Sequence, residues 1–365
     1  MTSDKKNVHL LAELFVKKGL SDIIISPGSR NAPVIIAFAG KPGVRALSIV
    51  DERSAAFFAL GMAQKTGKTV AVTCTSGSAA LNYAPAIAEA YYRKVHLLVL
   101  TADRPPELID RGYGQTIRQR DVYRNYIKAG FELPVEIEDE STLKEAEKIV
   151  NKAFNLTQFP EPGPVHINIP FREPLYGTMQ EFYDPEVKDL DISHEEIQPL
   201  VAELAEAWNR HGKVMIIAGQ QNRHDKLNSI LKAITRKKKA VLLSETTSNL
   251  HSNEFIDCID NVVSTFKGGE IPDFQPDLLI TFGGQVVSKM VKKLLRDHSP
   301  HEHWHISPSG EQMDTYFKLK KVIPAQPVAV FETLLPLITE KPDDFVTVWQ
   351  ERKAKVVARK KQYLQ

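Results

Sequence analysis

Apolar residues return along this chain in two rhythms. Short unbroken runs rich in valine, isoleucine and leucine alternate with longer stretches in which apolar positions recur at helical spacing. A short continuous run suits a strand buried on both faces, and its alternation with amphipathic helices predicts parallel sheets wrapped by helices. In the first half, Leu10, Leu11, Leu14 and Phe15 predict a helix over 8–19, and strands are expected at 22–25, 46–50, 69–74, 95–100 and 165–169. Further helices are expected from about residue 32, over 53–65, from the Thr75-Ser76-Gly77-Ser78 turn to about Tyr92, and over 141–155. Residues 178–194 lose the period and turn acidic, which predicts a connector. A second alternation follows, with helices at 195–209, 224–236, 287–296 and 329–338 and strands at 214–218, 240–243, 278–282 and 303–306. The pattern predicts two doubly wound α/β domains in tandem, at 1–177 and 195–340, and a basic helical tail over 341–365.

Composition narrows the function classes. The balance of 42% hydrophobic and 25% charged residues over 365 residues is that of a globular chain with more than one core. A formal charge of +2 offers no chain-wide field for nucleic acid or an anionic membrane, so neither is an expected partner. Only the end is lopsided: Arg352, Lys353, Lys355, Arg359, Lys360 and Lys361 stand against Glu351 and read as a solvated helix face or linker. Cys74 and Cys258 lie far apart, which points to free thiols and a cytoplasmic location. The first residues place two lysines inside an amphipathic period, which is not the form of a signal peptide. No stretch approaches the ~20 apolar residues that a membrane span requires.

In open parallel sheets the chemistry sits outside the carboxyl ends of strands. Four such loops are dense in polar groups: Ser26-Pro27-Gly28-Ser29-Arg30-Asn31, Asp51-Glu52-Arg53, Thr75-Ser76-Gly77-Ser78, and Thr101-Ala102-Asp103-Arg104-Pro105-Pro106-Glu107. The first combines a glycine that lets the backbone approach a ligand with an arginine suited to an anion. Other patterns carry less. Gly61 and Gly67-Lys68-Thr69 imitate a phosphate loop with one residue too many and in reversed order, and Gly112-x-Gly114 lacks its third glycine. His298, His301, His303 and His305 have no defined metal spacing.

Taken in order, these loops, followed by Gln115-Thr116-Ile117-Arg118-Gln119, Val165-His166-Ile167-Asn168-Ile169-Pro170-Phe171 and Glu173-Pro174-Leu175-Tyr176-Gly177, resemble the thiamine diphosphate enzymes of the 2-succinyl-5-enolpyruvyl-6-hydroxy-3-cyclohexene-1-carboxylate (SEPHCHC) synthase family of menaquinone biosynthesis. The resemblance runs strongly over 8–177 and more loosely over 195–340, where Gly283-Gly284 through Ser288-Lys289 carries it. It implies a pyrimidine-binding domain at 1–177 and a central domain at 195–340. A third domain, which in this family holds the diphosphate through Mg²⁺ or Mn²⁺, has no matching Gly-Asp-Gly motif here, so the chain is expected to be an inactive portion of a longer enzyme.

By the same resemblance, Glu52 is the catalytic carboxyl. Thiamine's own 4′-amino group acts as base only as its imino tautomer, which a carboxyl bonded to ring nitrogen N1′ stabilises, so the protein tunes a base that the cofactor carries. Thr75, Ser76, Gly77 and Gln115 match cofactor contacts, and Ser29, Arg30, Arg104, Gln115 and Lys289 match substrate contacts, with Arg30 and Arg104 as bidentate carboxylate binders. Gly114 stands where relatives often carry asparagine. The implied reaction is decarboxylation of 2-oxoglutarate and addition of the succinyl unit to isochorismate by a homodimer or homotetramer. Three other readings remain: a non-catalytic binding and dimerisation module, a different thiamine diphosphate-dependent decarboxylase or carboligase, and a serine hydrolase using Ser76 or Ser78, whose turn lacks the Gly-x-Ser-x-Gly form.

Overall fold

The computed structural model describes residues 1–180, 183–189, 198–340 and 344–364, in two compact units, 1–192 and 193–365. Both are doubly wound parallel α/β layers, as the alternation of runs predicts.

In chain order the first unit consists of β1 (Thr2–Ser3), α1 (Lys6–Lys17), β2 (Asp22–Ile25), α2 (Ala32–Ala39), β3 (Arg45–Ser48), α3 (Glu52–Thr66), β4 (Val70–Cys74), α4 (Ser78–Asn82), α5 (Ala84–Tyr92), β5 (Leu97–Asp103), β6 (Ala129–Glu132), α6 (Glu140–Leu156), β7 (Val165–Pro170) and β8 (Thr178–Met179). The main sheet runs β3-β2-β4-β5-β7-β6, all parallel. Alternation along each strand sends Ile23, Ile25, Leu98 and Leu100 to one face, under α1, α2 and α6. Ile24, Leu97 and Val99 go to the other, under α3, α4 and α5. Helix ends follow local chemistry. Asp51 caps α3 by accepting from the Ser54 N–H at 2.7 Å, Gly67 closes it at φ 65°, and Asp139 forms a capping box with Thr142 at the start of α6. The helix expected to run unbroken to Tyr92 is two, because Pro85 has no N–H for the preceding turn and opens α5 instead.

The second unit consists of α7 (Gln198–Arg210), β9 (Val214–Ala218), α8 (Asp225–Arg236), β10 (Val241–Ser244), α9 (Ile259–Val263), α10 (Ile271–Phe274), β11 (Leu278–Phe282), α11 (Lys289–Asp297), β12 (Glu302–Ile306), β13 (Leu319–Ile323), α12 (Pro327–Leu334) and α13 (Phe345–Leu364). Its parallel sheet runs β10-β9-β11-β12-β13. Ile216, Leu242, Ile280 and Trp304 pack under α7, α8 and α12, and Met215, Ile217 and Leu279 pack on the side of α11 and α13.

Three expectations change. Strands β6 and β13 are edge strands with few apolar residues, Phe131 being the only large one in the first and two lysines interrupting the second, so neither stands out as an apolar run. Residues 178–180 and 183–189, read as connector, dock on the first unit: β8 pairs with β1, Lys17 donates to the Pro185 carbonyl at 2.8 Å and Asn151 to that of Glu186 at 3.2 Å. The rest of the expected connector, 190–194, and the first residues of the helix expected from 195, 195–197, lie outside the described residues. The basic tail is not wholly solvated either. Trp349 is buried edge-on to Phe266 and Phe274, Arg352 pairs with Glu270 at 3.0 Å above Phe274, and Lys353 donates to the Phe255 carbonyl at 2.6 Å. Arg359, Lys360 and Lys361 remain exposed.

Candidate active site

The first sheet reverses its strand order between β2 and β4, and such a switch point opens a crevice beyond the carboxyl ends of the two strands. The loops after β2 and β4 therefore meet. Gly28 approaches so closely that a Cβ on it would lie 2.5 Å from that of Thr75, and the Arg30 N–H donates to Thr75 Oγ1 at 3.3 Å. Asn31 closes the β2 loop on itself, accepting from Gly28 N–H at 2.9 Å and donating to the Ser26 carbonyl at 3.0 Å.

Glu52 opens α3 just beyond β3, half-buried. Its Oε2 accepts from Asn82 Nδ2 at 3.2 Å, while Oε1 accepts no hydrogen bond from any described residue. One carboxylate oxygen is thus oriented and the other is available to accept from an N–H group. Several large apolar side chains stand among the outward residues of the same region: Phe57 and Phe58 on α3 and Leu81 on α4 are exposed, as is Val50 before α3. The small residues Ala55, Ala56, Ala59, Ala80 and Ala86 are buried against their own sheet.

The Thr75–Gly77 turn faces inward. Ser76 is buried and its hydroxyl donates to the Gln115 carbonyl at 2.9 Å. Gly77, at φ 86°, gives its N–H to Gln119 Oε1 at 2.8 Å, and a Cβ there would meet the Gln115 backbone at 3.2 Å. Gln115 itself has φ 56° and an exposed side chain. Among the described residues no histidine bonds Ser76, whose hydroxyl donates to Gln115 instead, and the buried His166 bonds Thr101 at 2.7 Å, so the hydrolase reading lacks its base; Ser78 is an exposed residue opening α4.

Of the expected substrate contacts, Ser29 is exposed beside the crevice. Arg30 is 7% exposed and already engaged: Nη1 donates to the Phe171 carbonyl at 3.2 Å and Nη2 to Glu173 at 3.0 Å. Arg104 donates through Nε to the Gly114 carbonyl at 3.0 Å and lies over the Tyr113 ring. Lys289 belongs to the second unit, exposed at the first turn of α11. Its loop is set by a second switch point, where Gly219 after β9 runs against Gly284 after β11. Among the described residues no group of three or more His, Cys, Asp or Glu side chains is arranged to hold a metal, and His303 and His305 both bond Thr281 within the sheet.

Behind the loops lies a polar network that the reading of single motifs missed. Gln119 Nε2 donates to the Ala102 carbonyl at 3.0 Å and to Asn168 Oδ1 at 3.1 Å. Asn168 Nδ2 donates to Asp103 Oδ2 at 2.9 Å and Glu132 Oε2 at 3.0 Å, and Asp103 Oδ1 accepts the Arg104 N–H at 2.7 Å. The Thr101 hydroxyl gives its one proton to Asn168 Oδ1, so it must accept from His166 Nε2–H. Burial holds His166 neutral, with its pKa pushed down to about 3. The sequence did carry a signal for this network. His166 and Asn168 are alternate polar residues in an otherwise apolar strand, which puts both on one face.

Burial also raises Asp103 to about 6, against the hydrogen bonds from Asn168 and the Arg104 amide that oppose it. Between an unfolded value near ~4 and the folded one, the folded chain binds more protons than the unfolded chain, so this group favours the fold in acid and opposes it fully above pH ~6. The stability of the wild type relative to Asp103→Asn is therefore expected to fall as pH rises from ~4 to ~6 and to level off above. Urea melts across that range check it, and a pH-independent difference would show that Asp103 is not perturbed.

Comparison with known proteins agrees with this geometry. Residues 5–122 match the family described as thiamine pyrophosphate enzyme, N-terminal TPP binding domain, and residues 179–364 match the middle domain of thiamine pyrophosphate. The 2-succinyl-5-enolpyruvyl-6-hydroxy-3-cyclohexene-1-carboxylate synthase of Flavobacterium johnsoniae is 42% identical over 361 residues, covering 97% of this chain and 63% of that protein. Those of Porphyromonas gingivalis and Desulfotalea psychrophila are 40% identical over 322 residues and 39% over 334, covering 87% and 90% of this chain and 55% and 62% of those relatives. The chain thus spans less than two thirds of the length of these curated relatives. It belongs to the thiamine pyrophosphate enzyme family, with that family's N-terminal and middle domains.

Proposed function

We propose that this chain supplies the aminopyrimidine-binding half of a thiamine diphosphate site in an enzyme that decarboxylates 2-oxoglutarate and adds the succinyl unit to isochorismate. The observation that carries the reading is Glu52 beyond β3, with one carboxylate oxygen held by Asn82 and the other open. When bound, thiamine diphosphate supplies the nucleophilic carbon and the electron sink for loss of CO₂. Glu52 holds a proton at ring nitrogen N1′. Thr75 and Gln115 would contact the ring, while Ser76 and Gly77 act through the shape of the turn.

Both proposed substrates are dianions, and the arginines fit them. Arg104 presents its remaining guanidinium N–H groups beside Gln115, and Arg30 turns to a substrate carboxylate by giving up Glu173, whose side chain is largely exposed and free to leave. Lys289 is the second unit's proposed carboxylate contact. Mg²⁺ or Mn²⁺ is proposed to be held by residues outside this chain. The exposed Val50, Phe57, Phe58 and Leu81 favour a homodimer or homotetramer that covers the Glu52 side of the first unit. A cytoplasmic setting suits the two free cysteines.

The test is product formation by the full-length enzyme. With thiamine diphosphate, Mg²⁺, 2-oxoglutarate and isochorismate, CO₂ release should depend on both substrates and give the carboligated product. Equal turnover with pyruvate would transfer the protein to another decarboxylase class.

A further inference from the structure

We infer that Gln119 is a positioning residue, which sets the Gln115 loop and the Arg104 loop in register with the Thr75–Gly77 turn through a directed chain of two side-chain amides. The function of this residue in catalysis rests on the reading just proposed, but its structural role does not. The chain has one sense throughout: Gly77 N–H donates to Gln119, Gln119 to Asn168, Asn168 to Asp103, and Asp103 accepts again from the Arg104 amide. Each amide is thereby fixed in orientation, because its oxygen faces a donor and its nitrogen faces acceptors.

Gln119 is 1% exposed, so it acts through other residues. It joins three strand ends: Gly77 after β4, Ala102 within β5 and Asn168 in β7. The Gln115 loop on which it rides is also fastened by the bonds from Ser76 to the Gln115 carbonyl and from Arg104 to the Gly114 carbonyl, and by the close pass of Gly77 over Gln115. Two residues of this assembly, Gly77 and Gln115, have positive φ. A glutamine left-handed at this position is uncommon, and surrounding bonds must hold it there.

Two substitutions separate the role from general stability. Gln119→Leu keeps much of the volume and removes all three bonds. Gln119→Glu keeps the acceptor for Gly77 but turns a carboxylate oxygen toward the Ala102 carbonyl and Asn168 Oδ1, where a donor is required. Protonation of that carboxyl restores the donor, so the Glu variant should recover in acid. The ionisable groups around it are Asp103 on β5, Glu132 on β6 and His166 on β7, with Arg30 within electrostatic reach of Asp103. Asp103 titrates in wild type and variant alike, so each comparison is made at equal pH.

The experiment is amide hydrogen exchange on this chain, followed by kinetics in the full-length enzyme. At neutral pH both variants are expected to exchange roughly tenfold or more faster at 76–78 and 113–117, with the β4 and β5 core amides unchanged. The Glu variant should regain wild-type protection near pH ~5 while the Leu variant does not. In the enzyme, KM for both substrates should rise roughly tenfold or more in the Leu variant, with a smaller fall in kcat. Unchanged exchange at these amides in both variants, or a Glu variant with no acid recovery, overturns the positioning role. If the Leu variant does not fold, the Glu variant in acid decides. Exchange that responds as described in a protein without the proposed activity would leave the role standing and remove the assigned reaction.

Discussion

Glu52→Gln in the full-length enzyme is expected to lower kcat by about three orders of magnitude. The substitution is nearly isosteric, and the amide oxygen can still accept from Asn82 as Glu52 Oε2 does. What changes is the other terminus, where an NH₂ group, a donor, replaces the open carboxylate oxygen. An amide cannot hold or return a proton at N1′, so the variant would bind the cofactor and fail to activate it. The chain itself should be little affected, since a glutamate at the first position of a helix contributes only ~0.3–1 kcal/mol through the dipole. Steady-state CO₂ release beside a urea melt of the variant measures both. A kcat within a few-fold of wild type would remove Glu52 from the chemistry.

Trp349→Ala should destabilise the second unit by about 3–5 kcal/mol. Trp349 is fully buried and edge-on to Phe266 and Phe274, so truncation leaves a cavity with aromatic walls that cannot close without moving α10 or α13. Trp208, Trp304 and Trp349, the three tryptophans of the chain, all belong to the second unit, so tryptophan fluorescence reports that unit alone. The variant should show an earlier denaturant midpoint by fluorescence from the two remaining indoles, with amide protection of β2, β4 and β5 in the first unit unchanged. A midpoint shift worth under ~1 kcal/mol would mean that α13 packs too loosely to define the core.

Much of this was legible in the linear order of residues, and for identifiable reasons. Strands such as Val214–Ala218 and Leu278–Phe282 are buried on both faces, so their continuous apolar runs stand out against any background. Loops after strands are where a parallel sheet places ligands, and that rule selected the segments containing Ser29, Arg30, Glu52, Thr75 and Arg104, while Gln115 entered through the family resemblance. The rule is silent about which polar atoms face inward. Ser76 and Gln115 look alike in sequence, yet the first is buried against the second's carbonyl and the other presents its side chain outward. The Arg30–Glu173 pair and the Asn82–Glu52 bond join residues 143 and 30 positions apart, distances over which local spacing carries no information. Gln119 was visible as part of a motif, but its role depends on Asn168 lying behind it, which only the β5–β7 pairing establishes.

The backbone-to-backbone approach of Gly219 to Gly284 has a bearing on how the second unit can change. A Cβ at Gly219 would lie 2.0 Å from the Gly284 carbonyl oxygen, and the two loops exchange main-chain hydrogen bonds, Gly219 N–H to the Phe282 carbonyl at 2.9 Å and Gly284 N–H to that of Gln220 at 2.8 Å. The height of the Lys289 loop over the sheet is therefore indexed by peptide groups, which every sequence possesses. The exposed side chains at 285 and 287 are left at liberty to drift or to be redesigned for another ligand, whereas Gly219 against Gly284, with Gly283 at φ 77°, forms a fixed hinge pin on which such variation would turn.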